Sequence, residues 1–209
     1  HGVPGGFMSM LGISFLREIV VKEYITHPGV ILRRLRKEVI NVLKQKGVSG
    51  EQKDGMDMAL ISIDLDTKVM QFAGANNPLY LISNDDINLV NSEQSINDIS
   101  KQIVTEDKKL FEIKGNKMPI AIYEKMDKFT SHEIQLNQDD IIYMFSDGYA
   151  DQFGGPKGKK LKYKPFKKLL LKYASKPLIQ QKEILSNYFN TWKGENEQID
   201  DVVVVSFKI

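Results

Sequence analysis

The sequence contains no cysteine among its 209 residues. This absence excludes disulfide frameworks, thiolate zinc sites and cysteine nucleophiles. An excess of charge of one sign is also lacking, because 29 Lys and Arg stand against 27 Asp and Glu, for a formal net charge of +2. A nearly neutral chain has no strong general attraction to nucleic acid or to an anionic membrane, so we expect neither as a partner.

Long uninterrupted apolar runs are missing as well. Arg17 and Glu18 interrupt the stretch from 7 to 21, and the stretch from 202 to 207 is too short to cross a bilayer. We find no signal-peptide pattern, no phosphate loop, no dinucleotide fingerprint and no zinc-peptidase motif. These absences predict a soluble, cytoplasmic protein.

A chain of this length, with 42% hydrophobic and 27% charged residues, can bury a core. We expect a single domain over residues 1–209. The sequence begins at His1-Gly2-Val3-Pro4-Gly5-Gly6, without Met and without a leading strand. We interpret this start as that of an N-terminally incomplete domain from a longer protein.

Helical periodicity occurs near both ends of the chain, around a central block of strands. The predicted helices are 7–25, 28–46, 166–174 and 179–192. Gly2, Gly5 and Gly6 are expected to form a flexible turn before the first helix, and Pro28 suits the first turn of the second.

The central block is predicted to be antiparallel. The strands are expected at 58–64, 68–73, 79–83, 110–113, 120–123, 129–136 and 141–145, with a closing strand at 202–207. We expect the first three strands to form a meander and the polar stretch 84–109 to be a weak hairpin and surface excursion. Helix pairs on either side of the strands favour an α+β fold in which helices cover the sheets.

An acidic motif follows the predicted strand 141–145. Ser146-Asp147-Gly148 places a carboxylate where a buried strand leaves the core. This position is costly unless the acid is paired, hydrogen-bonded or bound to a metal ion. The alternative is an aspartate that initiates a turn and caps a loop.

A second acidic motif, Asp200-Asp201, directly precedes the valine run at 202–205. Because side chains alternate along a strand, one of these acids is expected to face the inner side of the sheet; the alternative is a charged pair that protects a strand end. Two strand-end acids, without cysteine or clustered histidine, are ligands that Mg²⁺ or Mn²⁺ prefers. Together they predict metal-assisted water activation or phosphate chemistry.

Six short segments follow one another in an order typical of one enzyme family. They are His1-Gly2-Val3-Pro4-Gly5-Gly6-Phe7-Met8-Ser9, Asp54-Gly55-Met56-Asp57, Ala73-Gly74-Ala75-Asn76-Asn77-Pro78, Lys117-Met118-Pro119-Ile120, Ser146-Asp147-Gly148 and Asp200-Asp201. The ordered set resembles the PPM-type (protein phosphatase 2C-like), metal-dependent serine/threonine phosphatases. Among these it is most similar to the bacterial branch typified by the sporulation stage II phosphatase (SpoIIE).

The resemblance implies a four-layer α/β/β/α sandwich, in which helix pairs flank two antiparallel sheets. It also implies two Mn²⁺ or Mg²⁺ ions that share a bridging water, which attacks phosphoserine or phosphothreonine. By motif match, Asp147 with Gly148 and Asp200 are the expected catalytic metal-site residues, and Asp201 is a further candidate ligand. Asp57 is a candidate for lining the site or holding a weaker third metal, with a simple turn acid as the alternative.

One expected ligand is missing. Members of this branch carry a metal-bridging Asp on a strand that would precede His1. We therefore expect the parent protein to be a phosphatase, and this chain to bind metal weakly or singly and to be nearly inactive. The absent strands would leave an open sheet edge, which favours strand exchange or a homodimer.

The leading hypothesis is a phosphatase domain, C-terminal to a sensor module, that acts on a phosphorylated regulatory protein such as an anti-anti-sigma factor. The alternatives are a non-catalytic binding module with this fold and a different carboxylate-metal hydrolase, such as a phosphodiesterase. The eight lysines between 157 and 172 are interpreted as a solvated loop and helix face. A nucleic-acid patch and a docking site for an acidic phosphoprotein are the alternative interpretations.

Overall fold

The computed structural model describes residues 2–47, 54–90, 99–105 and 107–209. The chain divides into two compact units. Unit 1 consists of His1–Pro78, Asn88–Asp98 and Lys114–Gln135, and unit 2 of Leu79–Ile87, Ile99–Ile113 and Leu136–Ile209. Each unit combines helices with an antiparallel sheet, which confirms the predicted α+β class.

Unit 1 begins with helix α1 (Gly2–Arg17), which continues into a π-helical turn at Glu18–Lys22. The predicted flexible turn at Gly2, Gly5 and Gly6 is wrong, because all three glycines are helical. A helix that already exists extends through them without a new nucleation step, which offsets their low propensity. By length and composition alone, Gly2–Lys22 is apolar enough to span a membrane; core helices of soluble proteins meet the same criterion.

Helix α2 (Pro28–Val42) starts where Pro28 occupies the first turn, as predicted. It buries an apolar stripe in the core of unit 1, formed by Ile31, Leu32, Leu35 and Val39. The helix ends before the predicted residue 46, because Lys44 adopts a left-handed backbone conformation with a φ of 50°.

The sheet of unit 1 has four antiparallel strands in the order β1-β2-β7-β4. These are β1 (Met58–Ile63), β2 (Val69–Ala75), β4 (Asn88–Leu89) and β7 (His132–Gln135). The predicted meander is wrong after β2, because β3 (Leu79–Ser83) pairs in the sheet of unit 2. All five residues of β3 are buried, as suits a central strand.

The predicted strand at 120–123 is also wrong. Ile120 makes one isolated bridge with Met56, and the amide of Ile122 donates to the side-chain oxygen of Gln45 at 2.9 Å. The Gln45 side chain therefore takes the backbone donor that a neighbouring strand would otherwise have used.

The sheet of unit 2 has five antiparallel strands in the order β11-β8-β3-β6-β5. Besides β3 these are β5 (Ile99–Val104), β6 (Lys109–Ile113), β8 (Ile141–Phe145) and β11 (Val204–Lys208). The bounds of β8 match the prediction residue for residue. After β8 come three short elements that were not predicted, helix α3 (Gly148–Asp151) and the hairpin of β9 (Phe153–Gly154) and β10 (Lys159–Lys160).

Helices α4 (Tyr163–Tyr173) and α5 (Leu178–Lys193) pack on the core of unit 2. Phe166 of α4 is fully buried, and its ring centroid lies 5.3 Å from that of Phe145 and 4.6 Å from that of Tyr149. Tyr149 follows Gly148 directly, so this aromatic packing anchors the segment that carries the acidic motif.

A buried carboxylate, Asp140, lies directly before β8. Burial raises the pKa of Asp140 above the usual aspartate value, and hydrogen bonds from the Ser83 side chain and the Asn137 amide partly oppose the shift. The folded chain therefore binds this proton more tightly than the unfolded chain does. Consequently, Asp140 favours folding as pH falls, and this contribution is lost as pH rises through the raised pKa.

We expect the free energy of unfolding of the wild type to rise relative to that of Asp140→Asn as pH is lowered from about 7 to about 4. The lower limit lies just above the ordinary aspartate pKa of about 3.9. Urea unfolding of both proteins across this range measures the effect. A difference in unfolding free energy that stays constant with pH would contradict the assignment.

Candidate functional site

Asp147 lies just past the end of β8, where the chain turns into α3. The amides of Ala150 and Asp151 both donate to the carbonyl oxygen of Asp147 at 2.9 Å, so the first turn of α3 fixes its backbone. The side chain of Asp147 is exposed and makes no capping hydrogen bond to the helix. Its carboxylate is therefore accessible to a ligand.

Ser146 links the Asp147 segment to the chain before β11. Its amide donates to the Val203 carbonyl at 3.0 Å, and its hydroxyl oxygen accepts from the Val203 amide at 3.0 Å. The same hydroxyl donates to the Asp201 carbonyl at 2.8 Å. These three bonds extend the pairing of β8 and β11 and hold Asp147 beside the second acidic motif.

Gly148 makes the closest approach between the two segments. A Cβ at this position would lie 2.4 Å from the Asp201 carbonyl oxygen and 3.3 Å from Cγ2 of Val202. No other residue type fits against this backbone without displacement. The glycine of the Ser-Asp-Gly motif is thus required by contact with the remote Asp200-Asp201 segment.

Asp200 and Asp201 lie in the segment before β11. The strand begins at Val204, not at the predicted residue 202, so the argument from strand alternation does not apply to these acids. Asp200 is half-buried, and its Oδ1 accepts the Asp201 amide at 2.7 Å. The Gln198 side chain donates to the Asp200 carbonyl at 2.9 Å, and Asp201 is exposed.

Gln152 and Trp192 support this segment and were not identified as site residues from the sequence. Gln152 is fully buried, and its Nε2 donates to the Glu197 carbonyl at 2.9 Å. The indole of Trp192 donates to the Gln152 carbonyl at 3.0 Å. A Cβ at Gly154 would lie 1.8 Å from the Trp192 carbonyl oxygen. The paired glycines 154 and 155 were the sequence signal for this close approach.

Asp57 belongs to unit 1, whereas Asp147, Asp200 and Asp201 belong to unit 2. It is exposed, and its Oδ1 accepts a hydrogen bond from the Asn76 side chain at 2.8 Å. Gln45 steadies the preceding turn by donating to the Asp54 carbonyl at 2.6 Å. The role of Asp57 at a metal site stays a prediction.

The acids gathered in unit 2 fit a metal ion only in part. Asp147, Asp200 and Asp201 offer the oxygen donors that Mg²⁺ and Mn²⁺ take. Within residues 2–47, 54–90, 99–105 and 107–209, however, no group of three or more His, Asp or Glu side chains is placed to hold a metal. The described residues therefore do not supply the ligand set of a complete two-metal centre.

Comparison with known proteins identifies a family and several similar folds. The family profile of Stage II sporulation protein E (SpoIIE) matches residues 1–209. The fold is similar to the SiaA-PP2C domain of Pseudomonas aeruginosa, with a TM-score of 0.78 and 24% identity over 100% of this chain and 72% of that chain. Among curated protein sequences, none matches.

A second similar structure contains the PP2C phosphatase domain and a fragment of the regulatory domain of SpoIIE from Bacillus subtilis. Its TM-score is 0.66, with 16% identity over 99% of this chain and 50% of that chain. These likenesses confirm the predicted resemblance and fold class. Because the profile covers all of its residues, the chain belongs to the SpoIIE family, in which the phosphatase domain of the Bacillus subtilis protein has the PP2C fold.

Proposed function

We propose that this chain is the phosphatase output domain of a longer, cytoplasmic signalling protein. The parent protein hydrolyses phosphoserine or phosphothreonine on a regulatory protein of the anti-anti-sigma type, under control of an N-terminal sensor module. Membership of the SpoIIE family supports the phosphatase class. The observation that carries the proposal is the backbone contact that holds Asp147 against the Asp200-Asp201 segment.

Asp147 and Asp200 are the proposed catalytic ligands of Mn²⁺ or Mg²⁺ in this site, with Asp201 as a further ligand. A bound ion supplies an activated water for attack on phosphorus. Ser146 and Gly148 position the acids by fixing the two backbone segments against each other. Asp57, in unit 1, is proposed to hold a third, more weakly bound metal.

Titration with Mn²⁺ tests this assignment. Asp147→Asn keeps the size of the side chain but removes its charge, so we expect Mn²⁺ affinity to fall about tenfold or more. Isothermal titration calorimetry measures the change. Asp139→Asn is the matched control, because Asp139 precedes β8 at its other end and pairs with Lys208 at 2.8 Å. Equal Mn²⁺ affinity of the two variants would sink the proposal.

The incomplete ligand set leads us to expect little turnover from this chain by itself. It should bind Mn²⁺ singly and release almost no phosphate from a phosphoserine peptide, with a phosphodiester assayed in parallel. Rapid Mn²⁺-dependent release from the phosphopeptide would contradict this expectation. Preferential cleavage of the phosphodiester would favour a different carboxylate-metal hydrolase.

A non-catalytic binding module is the second candidate function, because the described acids do not complete a metal centre. Such a module would bind its regulatory partner equally well with and without Asp147→Asn. A phosphatase would instead lose turnover in the full-length protein. Nucleic acid and membrane are proposed as partners in neither case.

We also propose that the chain forms a homodimer through β11, one of the two edge strands of its sheet in the described residues. Val205 and Phe207 in this strand are 38% and 43% exposed, and Val203 just before it is 52% exposed. Open strand edges with exposed β-branched and aromatic side chains favour pairing with another chain. Light scattering is expected to give twice the mass of the 23.8 kDa chain. Val205→Lys should return the monomer, and a wild type that stays monomeric on concentration would refute the dimer.

A further inference from the structure

Helix α4 carries a continuous row of positive charge, which we call the lysine stripe. Lys164, Lys168 and Lys172 are exposed and follow one another at four-residue steps, so they lie on one face of the helix. The sequence of α4, YKPFKKLLLKY, contains no acid. The buried face is formed by Phe166, Leu169, Leu170 and Leu171.

Neighbouring lysines form ion pairs, whereas Lys172 of the stripe has its Nζ 5.1 Å from the centroid of the Tyr173 ring. Lys160 forms an ion pair with Asp151 at 2.8 Å, and the buried Lys167 pairs with Glu112 at 2.7 Å. Among the described residues, no carboxylate forms an ion pair with a lysine of the stripe. Like charges at this spacing repel one another and destabilise the helix. Binding of an acidic partner would reduce this repulsion.

The stripe runs into a groove of about 410 Å³, which we call the basic groove. Lys168 and Lys172 line one wall, and Lys108 lines the other; Asp107 is the one described acid in the lining. The Lys108 amide donates to Oγ1 of Thr105 at 3.2 Å, which fixes the turn, and its Nζ donates to the neutral Asn84 side chain at 3.1 Å. The groove therefore presents three cations against one described acid.

The groove differs from a purely cationic surface because it also has an apolar floor. Leu171 is 5% exposed in the floor, and Ile103 beside it is half-buried and packs on the core of unit 2. An aliphatic side chain fits such a floor, and flanking carboxylates would meet the lysines around it. A phosphodiester backbone has no aliphatic group to place there, and a flat bilayer does not enter a groove.

We propose that the lysine stripe and the basic groove form a docking surface for an acidic, extended segment of a partner protein that carries at least one aliphatic residue. Resting on the proposed phosphatase function, this segment belongs to the phosphorylated substrate protein. From Lys164 to Lys172 the helix rises about 12 Å, which spans about four residues of an extended segment. The surface thus selects substrates by the carboxylates and the aliphatic side chain of this segment.

Binding of a synthetic peptide tests the docking surface. The probe is a fluorescein-labelled peptide in which a run of glutamates surrounds one leucine, with fluorescence anisotropy as the readout. The triple variant Lys164→Gln, Lys168→Gln, Lys172→Gln is expected to bind it on the order of tenfold more weakly than wild type. Added salt should weaken wild-type binding in the same direction.

A control variant carries the same change in charge elsewhere. Lys37→Gln, Lys125→Gln, Lys128→Gln removes three exposed lysines of unit 1 and should bind the peptide as wild type does. Circular dichroism checks that both triple variants fold, as expected because every substituted side chain is exposed.

Equal binding by wild type and the stripe variant would overturn the proposal, as would an equal loss in the control variant. Tighter binding of a DNA oligonucleotide or of phosphatidylserine vesicles than of the peptide would also overturn it. Failure of the phosphatase function is read separately, from the Mn²⁺ titration of Asp147→Asn. If the peptide binds through the lysine stripe but the chain does not bind Mn²⁺, the docking surface is supported and the chain is a non-catalytic binding module.

Discussion

Gly148→Ala is expected to abolish measurable Mn²⁺ binding and to lower the free energy of unfolding by about 1–3 kcal/mol. The added Cβ would lie 2.4 Å from the Asp201 carbonyl oxygen and 3.1 Å from its carbon. Both are backbone atoms and cannot rotate away. Relief requires the Ser146 hydroxyl to give up its bonds with Asp201 and Val203, which moves Asp147 away from Asp200. Calorimetric Mn²⁺ titration and urea unfolding measure the two effects.

The matched control is Gly6→Ala in α1. A Cβ built on Gly6 meets no atom within 4 Å, and alanine is favoured over glycine in a helix by about 0.5–1 kcal/mol. This variant should keep wild-type Mn²⁺ binding and gain slightly in stability. If Gly148→Ala behaved like Gly6→Ala, the close contact would play no part in positioning the acids.

Phe166→Ala is expected to produce the largest loss of stability, about 3–5 kcal/mol. The ring is fully buried and lies 4.6 Å from the ring of Tyr149, 5.3 Å from that of Phe145 and 6.3 Å from that of Tyr80, measured between centroids. Its removal leaves a cavity beneath the acidic motif, because Tyr149 directly follows Gly148. Urea unfolding gives the change in free energy, and Mn²⁺ titration of the folded fraction gives the effect on the site.

Phe207→Ala removes a ring of the same size from a position that is 43% exposed in β11. We expect this control to lower the free energy of unfolding much less than Phe166→Ala does, since folding of the chain buries less apolar area of Phe207 than of Phe166. Similar losses for the two variants would mean that the aromatic cluster around Phe166 is not the centre of the unit 2 core.

Local patterns in the sequence predicted the long elements well. The run Ile141–Phe145 was predicted without error, because a short apolar, β-branched and aromatic segment bounded by acids and glycine is typical of a buried strand. Pro28 marked the start of α2, because proline suits the first turn of a helix. Long-range pairing was not predictable in this way, since the sequence of Leu79–Ser83 suits a central strand of either sheet.

The candidate site was predictable in its acids but not in its supports. Asp147 and Asp200 were recognised from their positions beside apolar runs. Gly148 was predicted at the metal site from the motif alone, and its close packing was not foreseen: the Asp201 carbonyl oxygen lies 2.4 Å from where its Cβ would be. The hydrogen bonds of Gln152 join α3 to a segment far along the chain. Only the paired glycines 154 and 155 give a local sign of such contacts, and they do not identify the partner.

The departure of β3 from the sheet of β2 has a consequence for how the chain folds. Besides its hairpin with β1, β2 pairs with the distant β7, where Phe72 lies opposite His132. Likewise, β3 pairs with the distant β8, where Tyr80 lies opposite Tyr143. Pairings this distant slow folding, because a long loop must close before any of them forms. A nascent chain that stalls on the ribosome before β7 emerges therefore exposes one unpaired edge of β2 and one of β3 to chaperones, even where β1 and β6 already cover the other edges.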